Sequence, residues 1–196
     1  VCNLNKPYLN IPSDEDTGKR SLKLEKLAEN NEIKHEFAHD AMSDVDATID
    51  LANIIKKNEP ELWEHMIQFR SYKNVNEYIN NNNIFIIPPT NATGAYIPVS
   101  LVTSNPDNAK EIIFYNLNEE VTDDVINSRT RGIGGLFKNK ILKKIKSNDY
   151  PIFLEEKHMN NIHKKEYLEN KVLYEERANL VKSSSNFIMN VNQYLV

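Results

Sequence analysis

A chain of 196 residues, 40% hydrophobic and 27% charged, is long enough to bury a core in one or two small domains. Its formal net charge of −4 gives no sign, taken whole, of a nucleic-acid binder, and a single cysteine, Cys2, excludes an internal disulfide framework or a cysteine-rich zinc site. No apolar run reaches the roughly 18 residues of a membrane span, and Val1-Cys2-Asn3-Leu4-Asn5-Lys6 has no signal-peptide core. A reducing, cytoplasmic setting is therefore expected, and Asn91-Ala92-Thr93, which fits a glycosylation pattern, carries no meaning there. The start without methionine is expected of a segment that begins inside a longer protein.

Residues 1–19 read as irregular, punctuated by Pro7, Pro12, Gly18 and the acidic Asp14-Glu15-Asp16, a solvated turn. A helix is expected from Ser21, with Leu24, Leu27 and Ala28 as its apolar face and Asn30-Asn31 at its end. A second runs from Asp40 to about Lys57, carrying Val45, Thr48, Leu51, Ala52 and Ile55 at helical spacing. Asn58-Glu59-Pro60 breaks it, and Pro60 suits the first position of the next helix, whose buried side is Leu62, Trp63, Met66 and Phe69. Ser71 to Tyr78 reads as partly helical and Asn80 to Asn83 as a loop.

The character then turns to β. Ile84–Ile87 and Tyr96–Val102 read as strands, with Pro98 arguing for an edge or a bulge in the second. Asn105-Pro106-Asp107-Asn108 is a turn signal leading into a third strand, Glu111–Leu117. Asp123 opens a short helix, and Gly132-Ile133-Gly134-Gly135 lacks both phosphate-loop and dinucleotide context, so it reads as a flexible loop. Ile141, Ile145 and Pro151–Leu154 suggest two more β segments; 166–169, 174–182 and 187–196 suggest helices. Short strands joined by turns point to a small barrel or sandwich.

From Ser128 to Asn148 seven basic residues (Arg129, Arg131, Lys138, Lys140, Lys143, Lys144, Lys146) occur with no acid, leaving −11 on the rest of the chain. Such asymmetry can steer a polyanion to one face. With Phe137 and Tyr150 this stretch is one candidate strand-binding surface, and Arg70, Tyr72 and Lys73 form another, since single strands are held by cations along the backbone and rings under the bases.

The sharpest chemistry lies in His39-Asp40-Ala41-Met42-Ser43-Asp44-Val45-Asp46-Ala47-Thr48. Asp40 or a neighbour can cap the helix, placing His39 in the loop before it and Asp44 on its first turn. A carboxylate there can hold a divalent cation, and an imidazole of near-neutral pKa can take a proton from an attacking water. His39 and Asp44 with four residues between them resemble the third motif of the DEDDh 3′→5′ exonucleases. The longer string, with Leu22–Leu27 before it and Pro60–Arg70 after it, is similar to the bacterial exodeoxyribonuclease I family.

That resemblance implies an α+β chain. Residues 1–58 would be the C-terminal, mainly helical part of a ribonuclease-H-like exonuclease domain, and 59–196 an SH3-like β-barrel domain with added helices. It implies single-stranded DNA as substrate, 5′ mononucleotides as product, Mg2+ as cofactor, His39 as general base and Asp44 as the fourth metal-binding carboxylate. It places Lys23 against the phosphate backbone, and with the basic candidates above makes Lys23, Arg70, Lys73, Lys138, Lys143 and Lys144 nucleic-acid contacts. Single-strand-binding protein is the implied partner and a monomer the expected state. Only 38 positions precede His39, too few for the strands that carry the family's other carboxylates, so the chain alone should have negligible nuclease activity. Two other readings stand beside this one: a binding module with a vestigial nuclease part, and a related nuclease acting on RNA, which would not need the β-rich region after Ile84.

Overall fold

The computed structural model describes residues 8–13, 18, 20–34, 40–88, 95–159 and 161–196. By its contacts the chain divides into two compact units, Val1–His65 and Met66–Val196.

In the first unit, α1 (Leu24–Asn30) packs on α2 (Ala41–Asn58), and each buries an alanine completely, Ala28 and Ala47. Side chains this small let helix axes come close. The end of α1 closes through Ile33 N–H to the Ala28 carbonyl at 2.9 Å and Glu32 N–H to the Glu29 carbonyl at 3.3 Å, with Glu32 at φ 57. This is the paired C-terminal closure that usually carries glycine at the left-handed position. Asn31 then pins the preceding segment: its amide donates to the carbonyls of Asn10 at 2.8 Å and Leu27 at 2.7 Å, and its Oδ1 accepts from Asn10 N–H at 2.9 Å. Asp14-Glu15-Asp16 lies outside the described residues. Pro60 opens α3 (Pro60–Ile67) as expected, with Leu62 buried and Trp63 and Met66 half-buried.

The second unit is built on a curled antiparallel sheet of four strands in sequence order: β1 (Phe85–Ile87), β2 (Ile97–Asn105), β3 (Asn108–Asn116) and β4 (Leu142–Lys146). One face carries Phe85, Val99, Ile112, Phe114 and Ile145 against Phe69, Phe153 and the buried Val75 and Ile79 of α4 (Tyr72–Asn81). The other carries Tyr115, whose ring meets Phe187 edge-on at 6.4 Å. On β2, long α7 (Asn161–Ser183) and α8 (Ser185–Leu195) pack. The two-residue turn between β2 and β3 is held by the Asn105 carboxamide oxygen, which accepts from Asp107 N–H at 2.9 Å. The mixed α+β class is that expected; where a β-barrel was expected the described strands form one curled four-stranded sheet. Among the described residues no helix is long and apolar enough to cross a membrane.

Several local expectations change. Pro98 lies near the start of β2, an inner strand between β1 and β3; its carbonyl accepts from Leu117 N–H at 2.8 Å, and the bulges fall later, between Leu101 and Thr103 and between Ser104 and Asn105. Proline is tolerated there because the strand has only just begun. The glycine-rich stretch is α6 (Thr130–Lys138), not a loop. It follows the short α5 (Asp123–Ile126), capped by the Thr122 hydroxyl accepting from Val125 N–H at 3.3 Å. Packing on α8 makes α6 a helix: a Cβ at Gly134 would lie 3.2 Å from the Tyr194 hydroxyl, so the glycine permits the approach. Asn80 and Asn81 complete α4, and the two helical pieces after 166 are one helix of 23 residues. Pro151–Leu154 contributes a single bridge, Leu154 to Ile86, in place of a strand.

Burial raises the phenols of Tyr78 and Tyr115 to about 12. The folded state thus favours the neutral ring, against about 10 for an exposed phenol. The stability this gives is complete below about pH 10 and drains away as pH rises toward about 12. Alkaline titration followed by tyrosinate absorbance should show a late-ionising class that appears together with loss of the sheet's circular dichroism. Ionisation of every tyrosine near pH 10 with the fold intact would contradict it.

Candidate functional site

The N-terminus of α2 is built as the sequence requires. Asp40 is extended (φ −80, ψ 126), its carboxylate accepts from Ser43 N–H at 3.2 Å, and its carbonyl accepts the first helical bond from Asp44 N–H at 3.0 Å. Asp44 therefore stands on the first turn, where the helix dipole favours an anion. It is half-buried, and its carbonyl accepts from the Thr48 hydroxyl at 2.7 Å. His39 lies outside the described residues.

Beside this turn runs an open groove of about 590 Å³, lined by Lys34, Asp40, Met42, Ser43, Asp46, Ile49 and Asp50. Asp44 is not among its lining residues; it lies toward the packed side of α2 with Ala47. Asp46 and Asp50 are carboxylates that the motif reading passed over. Their four-residue spacing puts both on one helical face, a signal the sequence held. Carboxylate oxygens are the donor set that a hard cation such as Mg2+ prefers, so Asp44 fits the ligand role given to it, as one ligand of several.

The basic candidates are dispersed. Lys23 is exposed at the N-cap of α1. Arg70 ends the short 3₁₀ turn Gln68–Arg70 and Lys73 lies in the first turn of α4, both exposed, with Tyr72 between them 53% exposed. Lys138 is exposed in the last turn of α6, where a cation suits the helix dipole.

The run along β4 is split by strand alternation. Lys143 pairs with Phe114 and shares the face of Ile145; Lys144 pairs with Ile113 on the opposite face, where it meets Glu111 at 3.2 Å. The Glu111 carboxyl is held below the usual range first by a hydrogen bond from Asn105 and then by Lys144. The cation expected of Lys144 is thus largely matched within the molecule.

A second cavity, of about 100 Å³, escaped sequence reasoning. Tyr96, Pro98, Asn118, Met159, Tyr167 and Tyr174 are among its walls. Tyr167 and Tyr174, seven residues apart on α7, stack at 5.7 Å, and the Tyr174 hydroxyl donates to Asn118 Oδ1 at 3.1 Å.

No protein-family model matches the chain. In sequence it is similar to exodeoxyribonuclease I of Haemophilus influenzae, 42% identical over 66 residues, which is 34% of this chain and 14% of that protein. It is also similar to exodeoxyribonuclease I of Escherichia coli, 41% identical over 63 residues, 32% of this chain and 13% of that protein. In fold it matches the moderately thermophilic exonuclease I of Methylocaldum szegediense with a TM-score of 0.79 and 20% identity, over 99% of this chain and 44% of that one. E. coli exonuclease I in complex with a dT13 oligonucleotide matches at 0.77 with 19% identity, over 99% and 45%. A complex described as SSB/exonuclease I matches at 0.75 with 19% identity, over 98% and 43%. The chain resembles exodeoxyribonuclease I over a third of its length in sequence and nearly all of it in fold, and spans less than half the length of the solved structures it matches.

Proposed function

We propose, from this similarity, that the chain is a segment of an exodeoxyribonuclease that degrades single-stranded DNA from the 3′ end in DNA repair and recombination. The observation that carries the reading is the 42% identity over 66 residues to exodeoxyribonuclease I. The capped first turn of α2, with Asp44 on it and His39 immediately ahead of Asp40, supports it. Divalent metal, when bound, would supply Lewis-acid stabilisation of the scissile phosphate and a more acidic attacking water. In this reading Asp44 contributes a carboxylate ligand, with Mg2+ as the metal its oxygen donors suit, and His39 takes the water's proton. The remaining carboxylates would come from residues outside this sequence. Residues 1–58 belong to the nuclease domain and 59–196 to the SH3-like domain.

Lys23, Arg70, Lys73, Lys138 and Lys143 track the phosphate backbone. The E. coli neighbour in complex with dT13 and the SSB/exonuclease I neighbour support single-stranded DNA and single-strand-binding protein as partners. The protein works as a monomer in the cytoplasm.

The direct test is fluorescence anisotropy of a labelled oligothymidylate titrated with the pure chain at low and moderate salt, alongside a nucleotide-release assay with Mg2+. Salt-sensitive binding without release is expected. Failure to bind single strands would remove the strand-holding role, and robust release by the chain alone would overturn the division of the catalytic carboxylates.

A further inference from the structure

We propose that the cavity walled by Tyr96, Tyr167 and Tyr174 in the second unit is a binding site for a compact organic cation, an alkylammonium head group. This site is independent of strand binding and of the chemistry at α2. Three stretches of chain assemble it: Tyr96 from the entry to β2, Asn118 from the turn after β3, and Glu166, Tyr167 and Tyr174 from α7. Seven residues are about two helical turns, which sets Tyr167 and Tyr174 on one face of α7, their rings stacked at 5.7 Å.

Internal hydrogen bonds hold the walls in place. The Tyr174 hydroxyl donates to Asn118 Oδ1 at 3.1 Å, and the Arg177 guanidinium donates to the carbonyls of Leu117 at 2.7 Å and Asn118 at 3.2 Å. Leu117 N–H donates in turn to the Pro98 carbonyl at 2.8 Å. These bonds tie α7, the end of β3 and the start of β2 together around the space. Tyr96, Met159, Tyr167 and Tyr174 are buried, whereas Ala95, Asn118 and Glu166 are exposed and mark its mouth. A site built this way loses little affinity to the ordering of its own side chains.

Size and charge select the ligand. At about 100 Å³ the cavity has the volume of roughly three waters. Benzene needs a cavity of about 150 Å³, so a nucleobase or a further aromatic side chain is too large, while an ammonium with its first carbons fits. Phenol faces attract a cation within about 6 Å of the ring centre. Glu166 adds a carboxylate at the mouth, where it meets His163 Nδ1 at 3.6 Å, and the His163 ring lies edge-on to Tyr96 at 5.1 Å. Among the described walls there is no lysine or arginine. Three cations of α7 are engaged elsewhere: Lys164 and Lys171 meet Glu156 at 3.9 and 3.3 Å, and Arg177 holds the two carbonyls above. Burial first, and then carboxylates, Glu156 and Glu175 for Tyr167 and Glu166 for Tyr174, raise both phenols, with Arg177 opposing at Tyr174. An anionic ligand would meet Glu166 and the ring faces with the wrong sign.

The experiment titrates tetramethylammonium into the whole 196-residue chain at pH 8, with chloride held constant by sodium chloride, and follows backbone amides by NMR. Amides around Ala95, Asn118 and Tyr167 should shift saturably, with roughly millimolar affinity. Neutral tert-butanol, of similar size, should bind about tenfold more weakly, and thymidine monophosphate should not compete. Glu166→Gln, an exposed change that leaves the core intact, should weaken binding several-fold. Tyr167→Leu should weaken it about tenfold, while Tyr174→Phe, which keeps the ring, should retain it. Thermal melts of each variant report whether the fold is kept. Spermidine and N-acetyl-lysine methylamide then separate the sources: tighter binding of the first points to a free polyamine, and equal binding of the second points to a lysine side chain of a partner. Shifts that do not saturate, tert-butanol binding as tightly as the cation, or wild-type affinity in both Glu166→Gln and a folded Tyr167→Leu would overturn the site.

Discussion

Replacing Phe153 with alanine is expected to destabilise the second unit by about 3–5 kcal/mol, the range for deleting a fully buried phenylalanine. The ring is completely buried although it lies outside any regular element, in the segment after β4. It touches the rings of Phe69 and Phe85 at 5.5 Å, Phe114 at 5.7 Å and Tyr78 at 6.0 Å, so it fills the centre of the face between the sheet and α4. Each aromatic contact adds roughly 0.5–1.5 kcal/mol beyond the area it buries. The hole left behind is walled by rigid rings that cannot collapse into it. Against a typical domain stability of 5–15 kcal/mol, such a loss leaves the unit marginal or unfolded at room temperature. Urea denaturation followed by circular dichroism measures it. A loss under about 1 kcal/mol would mean that Phe153 is not the keystone of that core.

The second large effect concerns Asp44. With the segment joined to the complementary part of a solved exonuclease I, Asp44→Ala should lower nucleotide release at least about 100-fold, more than the 10–100-fold typical when a supporting group around a metal is lost. Single-strand affinity should stay within a few-fold, because the proposed phosphate contacts do not include Asp44. Asp44 is half-buried on the first turn of α2, and its carbonyl holds the Thr48 hydroxyl through the main chain alone, so truncating the side chain leaves that bond in place. A thermal midpoint near that of the parent would separate lost chemistry from lost structure. Parent-like activity in the variant would favour the reading of the chain as a strand-binding module whose nuclease part is vestigial.

What the sequence made legible was mostly local. The start of α2, its break before Pro60 and the Asn105–Asn108 turn all follow from side chains acting within four residues of themselves, and each forms where expected. The glycine run could not be read that way: α6 is a helix packed on α8, and a side chain at Gly134 would come within 3.2 Å of the Tyr194 hydroxyl. The continuous length of α7 runs through Asn170-Lys171-Val172-Leu173, which separated its expected helical pieces. Its buried residues, Tyr167, Tyr174, Ala178 and Val181, keep one helical face throughout. The spacing of His39 and Asp44 was visible in the sequence; the groove lined by Asp46, Asp50 and Lys34 was not, because it brings together residues of α2 and Lys34. The basic stretch was visible as charge but not as geometry, because its division depends on strand alternation and on Glu111, which precedes the whole run.

The sheet's sequential strand order bears on how the chain reaches this structure. The two-residue turn joining β2 to β3 makes a hairpin of the kind that forms in about 1–10 μs, whereas β4 reaches β3 only across α5 and α6. The bridge from Leu154 back to Ile86 must bring together residues separated by about half the length of the second unit. That closure carries more entropy and falls late. Phe153 lies beside that bridge, so its ring is expected to reach the aromatic face after the β2–β3 hairpin has formed. Substitutions at Phe153 should accordingly accelerate unfolding while leaving the refolding rate nearly unchanged.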